Sequence, residues 1–194
     1  MRSAEQLLRV ALTGALLCAV TTAPSLAQNV SGSSRATPPS SDQQLPSPPA
    51  TATVTLQGKA ITIHYNTPSM RGRKIFGGLV PYDHWWRTGA NPATTLVTPV
   101  HLRIGKLDVP AGTYTLYTLP SQRDAWLLIV NKQTGQWGTV YHPEQDLGRT
   151  PMEQNALATP QETMSLSFAN THSNQTELHM KWEKLDEFVT ITAP

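Results

Sequence analysis

The sequence has little that could carry redox or thiol chemistry. It contains one cysteine in 194 residues, Cys18, and this residue lies in an N-terminal segment that we expect to be removed. Without a second cysteine the chain forms no internal disulfide. After removal of the segment, no thiolate would remain as a nucleophile or metal ligand. Stability must therefore come from a hydrophobic core, which a domain of this size can supply.

Charge is also scarce. Charged residues make up 14% of the chain, and 15 Lys and Arg nearly balance 13 Asp and Glu. The sequence has no basic stripe or acidic tail, so its charge does not favour a nucleic acid as a partner. Low charge with abundant Thr is typical of exported β proteins. The length allows one ordinary domain.

Residues 1–27 have the features of a cleavable signal peptide. Two arginines precede or enter an apolar run at 10–20 that is too short to span a bilayer, and small residues at Ser25 and Ala27 fit a cleavage site. A retained anchor is the alternative. A lipid anchor on Cys18 is disfavoured because a leucine precedes it. We expect an exported protein, periplasmic or extracellular, with no transmembrane span in the mature chain.

Residues 28–52 are rich in Ser and Pro, and Val30 and Leu45 are their only sizeable apolar residues. Such a segment cannot bury enough surface to offset its ordering entropy, so we expect a disordered linker. The pattern changes at Thr53, where short alternating runs begin. We therefore expect a single domain over residues 53–194.

Alternating residues predict an all-β domain. Apolar residues at 54 and 56, and again at 61, 63 and 65, flank a Gly58-Lys59 turn and predict a hairpin. The runs at 113–119 and 125–131 are apolar on both faces, as in covered strands. Further strands are predicted at 94–98, 100–104, 106–109, 163–169, 176–183 and 187–192. Short antiparallel strands with frequent turns predict an antiparallel β-sandwich, jelly-roll-like or related.

Two details complete the predicted secondary structure. Residues 152–157 suggest a turn or two of helix, the only such stretch in the domain. His179 alternates with Leu178 and Met180, which predicts that its side chain lies at the surface.

Residues 70–95 break the alternating pattern and concentrate glycine, aromatic and cationic side chains. With several later motifs they resemble the bacterial family called domain of unknown function 2911. The resemblance covers about residues 53–192 and rests on GRKIFG at 72–77, LVPY at 79–82, WRTGAN at 86–91, TT at 94–95, PAGTY at 110–114, Trp126, NK at 131–132, QWG at 136–138 and WE at 182–183.

The resemblance implies an exported bacterial β domain and no established activity. In the family pattern an acidic residue usually follows the Gly-Ala-Asn triplet, and here Pro92 stands in its place. Proline can replace neither a charge nor a proton donor, so any role of that carboxylate would be lost in this chain.

The cationic residues of this segment are candidates for an anion site. Arg71 and Arg73 flank Gly72, and two guanidinium forks beside a backbone loop can hold a carboxylate or phosphate. The competing interpretation is structural: one arginine pairs with an acid such as Asp83 and the others are solvated.

The adjacent rings of Trp85 and Trp86, followed by Arg87, are candidates for a sugar-stacking platform. Neighbouring side chains of an extended segment point in opposite directions, so one ring could face outward while the other fills the core. The competing interpretation buries both rings. Trp137 and Tyr141 are open to the same two interpretations.

The sequence shows no local signature of catalysis or metal binding. Its six histidines form no His-x-His or His-Glu-x-x-His pattern, so we expect no metal and no cofactor. No nucleophile elbow or paired acids stand out. Asp83 and His84, beside Arg87, are the only catalytic candidates.

Three hypotheses follow. The leading one is a non-catalytic exported binding or envelope-associated module for a glycan, an anionic metabolite or a protein partner. The second is a hydrolase that uses Asp83 and His84. The third is a purely structural segment that closes one end of the sandwich, with arginines bonded to loop carbonyls. The candidate ligand-binding residues are Arg71, Arg73, Trp86, Arg87, Asn91, Trp137 and Tyr141.

Overall fold

The computed structural model describes residues 46–194, which form ten β-strands and one short 3-10 helix, Pro143–Gln145. The signal-peptide prediction and most of the predicted linker lie outside the described residues. Within residues 46–194, no helix is long and apolar enough to cross a membrane. The strands are β1 Pro49–Leu56, β2 Lys59–Asn66, β3 Thr95–Thr98, β4 Leu102–Ile104, β5 Leu107–Val109, β6 Gly112–Leu119, β7 Leu127–Asn131, β8 Asp146–Pro151, β9 Glu153–His172 and β10 Gln175–Thr192.

The strands form two antiparallel sheets that pack against each other. One sheet has six strands in the order β1-β2-β3-β6-β7-β8, and the other has four in the order β5-β4-β10-β9. The hairpin of β4 and β5 lies between β3 and β6 along the chain but belongs to the second sheet, where β5 is an edge strand. This arrangement confirms the predicted all-β sandwich.

Alternation along the strands builds the core between the sheets. In the first hairpin Leu56, Ile61 and Ile63 are fully buried, while the threonines at 53 and 55 are exposed. The strands β6 and β7 lie inside the six-stranded sheet. Tyr117 and Ile129 are buried on the face opposite the core residues Leu116 and Val130, as their continuous apolar sequence predicted.

Several strand boundaries differ from the predictions, and the strands predicted at 176–183 and 187–192 form one strand, β10. The strand β1 begins at Pro49, four residues before the expected domain start, because its backbone continues to pair with β2 as far as Asn66. The residues predicted as a helical turn, 152–157, belong instead mostly to β9 and pair with β10. The strand β8 was not predicted.

A sharp bend in β10 corrects the prediction for His179. The register with β9 shifts on both sides of Glu183, whose φ is 55°. Seven residues of straight strand span about 23 Å, yet His179 Nδ1 lies 2.8 Å from Asp186 Oδ1, and its Nε2 lies 3.1 Å from Glu177 Oε2. His179 is 6% exposed and not a surface residue.

Glu187, which follows Asp186 in β10, is fully buried without a polar partner. Neither of its carboxyl oxygens meets a hydrogen-bond donor among the described residues. Burial, and then the charge of the adjacent Asp186, raise the pKa of Glu187 to about 8. Its side chain is therefore held as the neutral acid at pH 7.

Candidate functional site

The segment between β2 and β3, residues 67–94, packs against the core and is held there by buried side chains. Ile75, Phe76 and Val80 are almost fully buried, and Trp86 is 9% exposed. Phe76 packs edge-on against Trp126 and Trp182, with centroid distances of 4.8 and 6.0 Å. These contacts fix an irregular segment as firmly as a strand, because aromatic rings contribute large buried areas and directional contacts.

A tight turn shapes the middle of this segment. The backbone N–H groups of Gly78 and Val80 both donate to the carbonyl of Ile75, and the N–H of Leu79 donates to that of Lys74. A Cβ at Gly78 would lie 2.5 Å from the Lys74 carbonyl oxygen. The glycine is therefore required for the close backbone approach that leaves Leu79 at the tip, 47% exposed.

Trp86 and Arg87 then enter a concave site, which we call the arginine cleft. Its volume is about 250 Å³. It contains two guanidinium groups and no carboxylate. The residues that line it are Ser47, Pro68, Arg73, Leu79, Val80, Trp86, Arg87, Gly89, Ala90, Asn91 and Trp182.

The side chain of Arg87 is half-buried and makes no hydrogen bond or ion pair with any residue in the described part of the chain; its Nε is completely buried. It lies over Gly138, where an added Cβ would fall 2.0 Å from the Arg87 Cδ. Burial lowers the pKa of Arg87, and no carboxylate offsets this effect. The cleft thus holds a half-buried cation that has no counter-ion among residues 46–194.

The guanidinium of Arg73, unlike that of Arg87, makes hydrogen bonds to the described part of the protein. Its Nε donates to the carbonyl of Met70 at 2.9 Å and its Nη2 to that of Ser69 at 2.8 Å. Within residues 46–194 it forms no ion pair, and the proposed pairing with Asp83 does not occur. Two backbone carbonyls orient the guanidinium without neutralising it, so Arg73 adds a second positive charge to the arginine cleft.

Two other candidates hold the segment at 46–48, which borders the cleft. Arg71 Nη2 donates to the carbonyl of Pro46 at 2.7 Å. The side-chain amides of Asn91 and Asn66 both donate to the carbonyl of Ser47, at 3.0 and 2.9 Å. Asn91 lines the cleft, but its amide nitrogen is already engaged. These contacts agree with the structural interpretation for Arg71 and Asn91.

A second concavity, which we call the apolar lobe, adjoins the arginine cleft. Its volume is about 350 Å³, and it shares four walls with the cleft: Leu79, Val80, Trp86 and Arg87. Its remaining walls are Pro81, His84, Trp85 and Thr139. Trp85 is half-exposed whereas Trp86 is buried. The two rings therefore point in opposite directions, as expected for neighbours in an extended segment.

Trp137 and Tyr141 do not line either concavity. Trp137 is 55% exposed and forms an isolated β-bridge with Pro92. Tyr141 packs against Trp85 at 4.9 Å, and its hydroxyl donates to Asp146 Oδ2 at 2.8 Å. Burial and this acceptor raise the pKa of Tyr141 to about 12. Tyr141 therefore supports the apolar lobe from behind.

The catalytic candidates Asp83 and His84 are not hydrogen-bonded to each other. Both are exposed, and the hydrogen bonds of the described residues include none between them. His84 Nδ1 contacts the carbonyl of Trp85 at 3.0 Å, and its ring stacks on Trp85 at 5.4 Å. No group of three or more metal-ligating side chains occurs within residues 46–194.

Sequence reasoning missed three contributors to the site. Trp182 comes from β10, Ser47 from the predicted linker, and Leu79 from a turn that gave no binding signal. The only sequence signal for Trp182 is its place in the WE motif shared with the family. Contacts this distant along the chain have no periodicity that could reveal them.

The fold and the cleft define a β-sandwich domain with an unneutralised pair of arginines. Residues 47–191 match the family described as Protein of unknown function (DUF2911). The chain therefore belongs to this family, as the resemblance indicated. No curated protein and no solved structure matches the chain.

Proposed function

We propose that this protein is an exported, non-catalytic binding module whose arginine cleft takes a small anionic ligand, through a carboxylate or phosphate group. One observation carries the proposal. Arg73 and Arg87 line a single cavity whose lining includes no acidic side chain. An anion placed there would accept hydrogen bonds from the free donors of both guanidinium groups.

The guanidinium of Arg87, unpaired within residues 46–194, is energetically costly in the ligand-free domain. A guanidinium carries five N–H donors, and in the described chain no protein group accepts from any of those of Arg87. A partly buried cation without a partner is costly, and an oppositely charged ligand offsets that cost. A structural arginine would be expected to bond to loop carbonyls, as Arg71 does.

The backbone around Arg87 supports the same interpretation. Thr88 and Asn91 have φ values of 51° and 58°. Positive φ is unfavourable for a β-branched threonine, and such conformations cluster at ligand sites. Thr88 is held in this conformation by the hydroxyl of Thr94, which donates to its carbonyl at 2.9 Å. The conformation fixes Arg87 and Asn91 on the same cavity.

Calorimetric titration of the folded domain with inorganic phosphate and with acetate tests the proposal. We expect millimolar or tighter binding of at least one anion, and a loss of about tenfold or more in Arg87→Gln, because a charge-assisted pair contributes about 1.5–3 kcal/mol. Arg123→Gln is the matched control, since Arg123 is exposed and lies in neither concavity. Equal affinities in the two variants would refute the proposal.

A further inference from the structure

We infer that the anion bound in the arginine cleft carries a compact apolar group, and that this group occupies the adjoining apolar lobe. The inference rests on the proposed function, since it assigns the rest of the same ligand. The starting observation is continuity: Leu79, Val80, Trp86 and Arg87 line both concavities. An acid group held by Arg87 therefore has its substituent directed along a wall that the two cavities share.

The lining of the lobe is predominantly apolar. Leu79 is a large hydrophobic residue with 47% of its surface exposed. Pro81 beside it is exposed, and Val80 and Trp86 form the floor. Exposed apolar surface within a concavity is unfavourable in water and becomes favourable when an apolar group covers it.

The lobe is less suited to a sugar ring. Sugar stacking needs a free aromatic face, and Trp85 is the only half-exposed aromatic ring in the lobe. His84 stacks on that ring at 5.4 Å, and Tyr141 lies against it at 4.9 Å. The other polar side chains that line the lobe are Thr139 and Arg87, and Arg87 is assigned to the acid group. Few hydroxyls of a sugar would therefore find partners, and each unpaired one would weaken binding.

The apolar lobe is also large enough for a compact apolar group. A cavity of about 150 Å³ accommodates a benzene molecule, and the lobe measures about 350 Å³. A single six-membered ring or a branched alkyl chain fits, with the acid group in the cleft of about 250 Å³. The ligand class is thus an amphipathic organic acid, such as an aryl- or alkyl-substituted carboxylate.

The test compares acetate, phenylacetate and glucuronate by titration calorimetry on the folded domain. We expect phenylacetate to bind about tenfold or more tightly than acetate, since each buried methylene-sized group improves binding by about tenfold or more. Glucuronate, a sugar acid, is expected to bind no more tightly than acetate. Leu79→Asn removes the exposed apolar wall and is expected to abolish the preference for phenylacetate, measured as the ratio of the acetate and phenylacetate affinities within the variant.

Val97→Asn is the control, because Val97 is also exposed, at 36%, and lies outside both concavities. Equal affinity for acetate and phenylacetate, tighter binding of glucuronate, or a preference that survives Leu79→Asn would overturn the inference and leave the proposed function intact. Binding of all three acids that is insensitive to Arg87→Gln would instead refute the proposed function. The absence of any binding at millimolar concentration would overturn both.

Discussion

Replacing Glu187 with glutamine is expected to flatten the dependence of folding stability on pH. The carboxyl group is fully buried without a donor, and burial together with Asp186 raises its pKa to about 8, from an ordinary value of 4.5. Below pH 4.5 the group is protonated in both the folded and the unfolded chain. Between pH 4.5 and 8 the unfolded chain ionises and the folded chain does not, so the free energy of unfolding decreases as the pH rises.

The magnitude follows from the two pKa values. One pKa unit corresponds to 1.36 kcal/mol, so a value of about 8 in place of 4.5 amounts to at most about 5 kcal/mol across this range. The contribution is complete near pH 8, above which the folded chain also ionises. Glutamine at this position does not titrate, so the variant loses the slope.

Urea denaturation of wild type and Glu187→Gln at several values between pH 5 and pH 9 measures the effect. A buried amide without partners carries a cost of its own, but that cost is independent of pH and leaves the slope as the readout. Glu153→Gln is the control, because Glu153 is exposed on β9. Parallel stability–pH curves for wild type and Glu187→Gln would refute the reasoning.

Two further substitutions test the site and the bend. Gly138→Ala places a Cβ 2.0 Å from the Arg87 Cδ and 2.6 Å from the Asn91 carbonyl oxygen. We expect circular dichroism to show a folded domain and calorimetry to show acetate or phosphate binding weakened at least about tenfold. Unchanged affinity would contradict the placement of Arg87. His179→Ala removes the hydrogen-bond partner of the buried Asp186 and leaves it beside Lys181, 3.6 Å away. We expect a loss of about 2–3 kcal/mol in urea denaturation, because a buried polar group is left without its partner. A loss below about 0.5 kcal/mol, as for a surface residue, would contradict the buried hydrogen-bonded cluster.

The parts of the fold that the sequence predicted are those with a clear two-residue period. The first hairpin is an example, because its threonines alternate with buried apolar residues. The first half of β9 has no such alternation: residues 153–156 are all exposed, and they are extended only because they pair with β10. The strand β8, with Gly148 and Arg149 at its centre, is likewise formed by pairing with β7. Pairing between distant segments leaves no local pattern.

The site was partly predictable for a related reason. The segment at 70–95 stood out by composition, and Arg73, Trp86 and Arg87 do meet in one cavity. The sequence could not show which arginines bond to the backbone, because that depends on carbonyls such as that of Pro46, 25 residues away from Arg71. Nor could it reveal the buried state of His179, since the strand bends and its outward residues meet each other.

The three carbonyls at 46–48 have a practical consequence. Arg71 donates a hydrogen bond to the carbonyl of Pro46, Asn91 to that of Ser47, and the backbone N–H of Thr67 to that of Pro48. Ser47 itself borders the arginine cleft. The polypeptide therefore enters the folded body at the rim of the cavity, and a reporter or affinity tag fused immediately ahead of residue 46 would stand at that rim. A label intended to leave ligand access undisturbed belongs instead on the hairpin tip at Ser173, at the far end of β9.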